Sequence, residues 1–378
     1  MASSLAAITT GGGGLVSTAD SSGNLDLKSG TTTIVALTSA GIAVTGTLTA
    51  SFGIPSPSSV LIGGKFTVAM AASACTIAIK TDAGNDPSAG EPVKLYVRSA
   101  TATDGAISLI SITAATSVVI PSTALMGTTS AVASRIYVGA LNNAGTIELY
   151  AIMTLSGTSL YLPPEQALLT TTIMNTASDN AQIPYSTTAR SAVGHRVLGY
   201  FESTQATAGT WATAASVVQQ MGDGVKRSGE ILQRRETYTT AYAIGTTGIP
   251  LDDTIPQITE GTEFMTQAIT PTSGLNLLDV AVQFNASHES TNAHAVALFR
   301  DSTANALTCS GNDENVAYLP QLCYLRFVDT ANSTTATTYR ARGGATPTGQ
   351  VFFNGISTGV RLWGGASVSS IRVDEVMV

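Results

Sequence analysis

Over most of the chain, apolar and polar residues alternate with a period of two, the spacing of a strand with one buried face. The clearest case lies at residues 135–152, where Arg135–Leu141 and Thr146–Ile152 flank Asn142-Asn143-Ala144-Gly145 and predict a β-hairpin. Upstream, Phe66, Val68 and Met70 alternate with Lys65, Thr67 and Ala69. Ile77 and Ile79 continue the period, and Val93, Leu95 and Val97 repeat it beyond the turn-rich Asp82–Gly90 loop. Ile107–Ile110 and Val118–Ile120 predict two further strands, and Arg196–Phe201 and Gly209–Ala212 two more. Only Pro164–Leu169 invites a helical turn.

The last third carries the densest strand signal. Gly261–Thr266 follows the turn Pro250-Leu251-Asp252-Asp253. Leu278, Val280, Val282 and Phe284 then alternate with Asp279, Ala281 and Gln283. Residues 293–300 are apolar on both faces, as in a strand covered on both sides. Tyr324–Val328, Thr337–Ala341, Val351–Phe353, Val360–Trp363 and Ser367–Val378 complete a set that predicts a two-sheet jelly roll.

The first sixty residues differ. After the flexible run Gly11–Gly14 come short pieces: Leu25 and Leu27 around Asp26, Ile34–Leu37, Ile42 and Val44, then Thr47–Thr49. Each has one thin apolar stripe, too little to fold alone. Wrapped around two identical copies, the stripes would form one core. The expected architecture is therefore all-β: an N-terminal trimeric stalk over 1–60, a middle β-sandwich over 61–222, a charged connector over 223–240 and a C-terminal jelly-roll head over 241–378. The connector concentrates Lys226, Arg227, Glu230, Arg234, Arg235 and Glu236, as a solvated link or an inter-subunit ion-pair collar.

Composition sharpens this. Hydrophobic residues are 44% of the chain, which excludes disorder, and charged residues only 11% against roughly 25% in ordinary soluble domains. Thr, Ser, Ala and Gly take the place of charge, as on extracellular or virion surfaces. The net charge is −7, with no long basic run, so nucleic acid is not an expected partner. No apolar run approaches the ~18 residues of a membrane span. Met1-Ala2-Ser3-Ser4 does not open a signal peptide, so assembly in a cytoplasm and residence in a virion are expected. Three widely spaced cysteines, Cys75, Cys309 and Cys323, make no disulfide framework. They read as reduced thiols, although Cys309 and Cys323 could pair on neighbouring strands.

Candidate chemistry is sparse. His288, His294 and Asp301 lack a metal-ligand spacing, and the two histidines read as an exposed loop. His195 reads as a structural histidine and Asp252-Asp253 as turn caps. Trp211 and Trp363 read as packing in strands, with sugar stacking as the sharper alternative, which Tyr161, Tyr185 or Tyr318 could also serve. No catalytic, cofactor-binding or metal residues are expected, no cofactor is called for, and receptor-binding residues cannot be named.

Some segments resemble a known family. Ile249-Pro250-Leu251-Asp252-Asp253-Thr254-Ile255-Pro256-Gln257 with Glu260-Gly261, Ala297–Leu307, and Arg361–Gly365 with Val373–Glu375 are similar to a C-terminal domain of tailed-bacteriophage fibre and tail proteins. Tyr185–Ser191 and Ser203–Trp211 look phage-like too, so the likeness spans about residues 60–378. It implies a virion structural protein whose head is a trimeric jelly roll of the tumour-necrosis-factor type. Such modules sit on tail fibres, tail tips and head fibres. The expectation is a non-enzymatic homotrimeric tail fibre for host attachment, joined to other virion proteins by its N-terminus and meeting host glycans. A head fibre or capsid cement protein is the alternative, ahead of a glycan depolymerase and a bacterial adhesin.

Overall fold

The computed structural model describes residues 59–378 except 102, 314–315 and 347–348, together with the backbone of four strands nearer the N-terminus. Those four, Val16–Ala19, Leu25–Ser29, Thr32–Thr38 and Gly41–Val44, pair antiparallel in chain order. They belong to one unit, residues 1–56, and the rest of the chain forms a second, residues 57–378. Gly11–Gly14 and Thr47–Thr49 lie outside the described residues. The fold is all-β. Among the described residues the one helical element is the 3₁₀ turn Trp363–Gly365, and no helix is long and apolar enough to cross a membrane.

The middle region is organised by a seven-stranded sheet centred on Ala133–Asn143, Thr146–Met153 and Val193–Thr204. The expected hairpin is present. Asn142 faces Ile147, Asn143 faces Thr146, and Ala144 and Gly145 turn with φ of 50° and 92°. Alternate residues serve two cores. Ile136, Val138, Ala140, Leu149 and Ala151 face one that includes Phe66, Ile77, Leu95 and Trp211, built with two three-stranded sheets. Tyr137, Leu141, Tyr150 and Ile152 face the other. A sheet covered on both sides explains the nearly unbroken apolar run at 136–141. Gly139 is obligatory there: a Cβ would lie 2.2 Å from the Tyr150 ring.

The C-terminal region is a two-sheet sandwich. One sheet is six-stranded and contains Ile231–Thr239, Ser369–Val376, Leu277–His288 and Gln321–Thr330. The other has four strands in the order Thr262–Ile269, Thr337–Thr346, Ala293–Arg300, Thr308–Asp313. Val280, Val282, Phe284, Val296, Leu298, Tyr339, Ile371 and Val373 fill the space between them.

Three local expectations need correcting, and one strand gave no sequence signal. Gln166–Leu169 is a strand paired with Val193–Arg196, not a helical turn, because pairing lets Leu169 enter the second core. Gly209–Ala212 is a turn, with Gly209 at φ 77°, and Trp211 is held in it by its indole N–H on the Ala124 carbonyl, 2.9 Å away. Residues 231–239 of the expected connector are an edge strand of the head, paired along Ser369–Val376. Its hold is backbone pairing, so it needs few apolar residues and reads as a linker. Thr308–Asp313 gave no signal for the same reason: its residues, Thr-Cys-Ser-Gly-Asn-Asp, form another edge strand.

Middle and C-terminal regions are joined by a buried charge. Arg135 leaves the middle sheet with its side chain 2% exposed. Its Nη2 and Nε donate to Glu202 Oε1 at 2.6 and 3.1 Å. Its Nη1 donates to Asn276 Oδ1 at 3.1 Å and to the Val378 carbonyl at 2.8 Å, both in the C-terminal region. The guanidinium also lies 4.7 Å over the Tyr200 ring. Asn276 passes the network on, donating to Glu375 at 2.7 Å, and Glu375 also accepts from Gln233 and Thr272. Burial pushes the Glu375 carboxyl up, but these donors outweigh it and hold the group below its ordinary range. Removing one partner of such a cluster strands the others. Arg135→Ala is therefore expected to cost on the order of 3–5 kcal/mol and to split one calorimetric transition into two. A single transition at an unchanged midpoint would refute this.

Candidate functional site

The two sheets of the C-terminal sandwich differ in what covers their outer faces. The four-stranded sheet turns Ala295, Ala297 and Phe299 outward, and these are covered by Ile249, Ile258 and Ala306. The cover is pinned to the following turn: Ile258 N–H donates to Ala304 at 2.8 Å, Ala306 N–H to Pro256 at 2.9 Å, and Gln257 pairs with Asn305. The two segments that carry the family resemblance, 249–261 and 297–307, are thus one packing unit. Residues 293–300 are apolar on both faces because both faces are covered.

Among the described residues the six-stranded sheet has no such cover. Its outer face is read from the register. Tyr238, Ser370, Gln283 and Tyr324 stand in one row across four strands; Glu236, Arg372, Ala281 and Arg326 in the next; Arg234, Asp374, Asp279 and Val328 in a third. Tyr238 is 73% exposed, Tyr324 and Leu322 51% each. The charges balance in number, and the three arginines are paired within the chain, while Glu236 makes no ion pair among the described residues. Arg326 forks onto Asp279 at 2.8 and 2.9 Å, and Arg234 onto Asp374 at 2.9 and 2.7 Å. Arg372 Nε lies 3.3 Å from Asp374. A sheet face with two tyrosines, a leucine and largely self-neutralised charge is a surface suited to another protein surface.

The residues singled out from sequence are scattered. His288 and His294 are buried between the sheets rather than exposed on a loop: both lie on strands whose inward positions they occupy. His288 Nδ1 accepts from Ser290 N–H at 3.0 Å, and the His294 ring packs 6.5 Å from Phe284. Asp301 is at the far end of the His294 strand, about 23 Å away at ~3.3 Å per residue. Its carboxylate accepts from Thr338 N–H at 2.7 Å, which ties the turn after the His294 strand to the neighbouring strand Thr337–Thr346. Among the described residues no three His, Cys, Asp or Glu side chains are grouped to hold a metal. Asp252 accepts from Thr254 N–H at 2.9 Å, the turn cap expected of it. None of the three cysteines forms a disulfide; Cys75 and Cys323 are buried and Cys309 is exposed. Burial pushes the Cys75 thiol up to about 12, which leaves it unreactive.

Trp211 is fully buried, as expected; Trp363 is not. It lies beyond the two-residue strand Val360–Arg361 in the 3₁₀ turn, with φ of 45° and 75% of its surface exposed. A non-glycine residue in the left-handed region is uncommon, and this one displays the most open aromatic face in the C-terminal region. Tyr185 is buried, Tyr161 half-buried and Tyr318 exposed. Part of the connector charge is used within the chain: Arg227 reaches Glu165 at 3.0 Å, and its N–H donates to Glu230 at 2.6 Å.

Comparison with known proteins adds one partial match. A family model described as the Pgp3 C-terminal domain matches residues 237–378, starting inside the edge strand Ile231–Thr239. No curated protein sequence matches the chain. Among solved structures, infectious bursal disease virus Gt strain is 11% identical over 85% of this chain and 79% of that one, with a TM-score of 0.25. Latent PorU from Porphyromonas gingivalis is 10% identical over 67% and 25%, with a TM-score of 0.19. A Bacillus thuringiensis Cry1Da tryptic core variant is 12% identical over 86% and 53%, with a TM-score of 0.20. Likeness this low bears on neither fold nor function.

His195 supplies a pH test of the middle region. It is buried, with Nδ1 3.0 Å from the Tyr150 hydroxyl. Burial lowers its pKa from 6.5 to about 4. The folded state thus resists a proton that the unfolded chain accepts. The resulting stability is fully present above pH 6.5 and is lost as pH falls toward 4. Its size is at most roughly 3 kcal/mol. The unfolding free energy of wild type minus that of His195→Gln should fall across this window. A difference that stays flat would refute the assignment.

Proposed function

We propose that the chain is a homotrimeric structural fibre protein of a tailed-bacteriophage virion, used for host attachment, with its N-terminal strands toward the particle. The observation that carries the self-association is the uncovered outer face of the six-stranded sheet. The same sandwich covers its other outer face with its own residues 249–261, so the bare face is a choice of the sequence and not a shortage of chain. A second copy is the partner of matching chemistry. Each copy brings tyrosines and Leu322, and the arginines it would bury are already paired with carboxylates. The phage assignment rests on the resemblance of residues 249–261, 297–307 and 361–375. The hydroxyl-rich, weakly charged composition suits glycans on the host side. There, threefold display of weak sites gains ~10²–10⁴ in apparent affinity.

In light scattering the chain should have a mass of about 115 kDa, three times 38.5 kDa. Tyr324→Arg combined with Tyr238→Arg should reduce it to the monomer mass, while Leu251→Arg, on the loop segment before the covered sheet, should leave it unchanged. A monomeric wild type would overturn the fibre reading. A trimer that survives the paired tyrosine substitutions would overturn the choice of face. Gold labelling of the C-terminal region on intact particles separates a tail position from a capsid one.

A further inference from the structure

The Arg135 network roofs a crevice of about 470 Å³ between the middle and C-terminal regions. One wall is a square on the middle sheet, where Glu202 pairs with Val217 and Tyr200 with Gln219. The opposite wall is Leu232, Thr272, Ser273, Asn276 and Met377. Val225 and Lys226 stand at the rim. The volume lies in the range of small-molecule sites, which favour the junction of two domains.

We infer that this crevice binds a neutral saccharide unit. The argument is one of hydrogen-bond capacity. Arg135 has committed its donors to Glu202, Asn276, Ser273 and Val378, so it has none left for an anion. An entering anion would also face the Glu202 carboxylate. Glu202 takes both arginine bonds on Oε1, which leaves Oε2 to accept from a ligand hydroxyl. Gln219 donates its own amide to the Gln220 carbonyl at 2.8 Å, so its side-chain carbonyl remains free to accept. The exposed Lys226 amine, which has no partner among the described residues, is the donor. Between these polar groups lie Val217, Val225, Leu232, Met377 and the Tyr200 ring. Two acceptors and one donor around an apolar floor match a sugar ring, which offers hydroxyls at its edge and C–H groups on its face. A phosphate or a hydrocarbon matches only half of that.

The inference deepens the host-attachment reading and rests on it for its biological meaning, but its test is separate. Saturation-transfer NMR on the full chain, with glucose, galactose and N-acetylglucosamine as probes and inorganic phosphate as competitor, reads binding directly. At least one sugar should receive saturation. Val217→Trp, a filling substitution at an exposed edge-strand position, should abolish the signal. Gln219→Ala should weaken binding roughly five- to tenfold, the equivalent of one hydrogen bond. Phosphate should not compete, and Trp363→Ala should have no effect. Silence from all three sugars, a signal that survives Val217→Trp, or loss of signal in Trp363→Ala would each overturn the crevice. A trimer that binds no sugar would sink this inference and leave the fibre reading standing.

Discussion

The second unit depends on one buried positive charge. Without Arg135, the middle region and the C-terminal sandwich would be joined by few hydrogen bonds, such as Tyr137 O–H to the Val378 carbonyl at 3.1 Å. With it, Glu202 on one side and Asn276, Glu375 and the Val378 carbonyl on the other share a single network. A buried guanidinium is tolerable only when every N–H is satisfied, so the geometry of both partners is constrained at once. That is why a charged group, and not an apolar plug, sets the relative position of the two regions. Apolar contacts slide with little change in energy, while five directed hydrogen bonds do not.

The same economy runs through the C-terminal sandwich. Arg300, 18% exposed, ties Asp329 at 2.8 Å and the Thr330 and Ala331 carbonyls, and Tyr339 O–H closes the group on the same Asp329 oxygen at 2.8 Å. With so few charges in the chain, those present are concentrated where strands must be held in register or loops closed. Hydroxyls and backbone amides do the rest. Asp252 and the Ser and Thr side chains cap turns locally, which is how a chain rich in Thr, Ser and Gly specifies its loops.

Much of the strand pattern was legible, because burial on one face imposes a period that survives in the residues. The 136–152 hairpin, Val351–Phe353 and the doubly covered Ala293–Arg300 all follow from side chains alone. What failed did so for identifiable reasons. Edge strands such as Thr308–Asp313 and Ile231–Thr239 are held by backbone pairing, which leaves no apolar signature. Trp211 was rightly placed in the core but wrongly in a strand, since its indole N–H bond to Ala124 fixes a loop. Trp363 was misread because flanking glycines fit both a tight strand and a left-handed turn. His288 and His294 sit either side of a polar turn in sequence, yet strand parity points both inward. The crevice had no signature at all: its walls come from residues 200–226 and 232–377, and only tertiary packing brings them together. The uncovered face was half-visible, since Gln283 and Ala281 were known to oppose Val282 and Phe284. Nothing in the sequence said that no loop would cover them.

That bare face also explains why its charges are paired across strands. If Arg326, Arg372 and Arg234 stood alone, approach of an identical surface would set like charges against each other, and each would have to be desolvated without compensation. With Arg326 forked onto Asp279, Arg234 forked onto Asp374 and Arg372 close beside Asp374, they meet a partner as dipoles already formed, and the cost of removing water is correspondingly smaller. The tyrosines then supply contact area with two rotatable side-chain bonds apiece, so little entropy is lost when they are fixed. A surface meant only for solvent has no need of such pairing, because exposed ion pairs contribute little to the fold itself. On this face the pairs contribute most when the face is covered, and that is the physical reason to regard it as half of an interface.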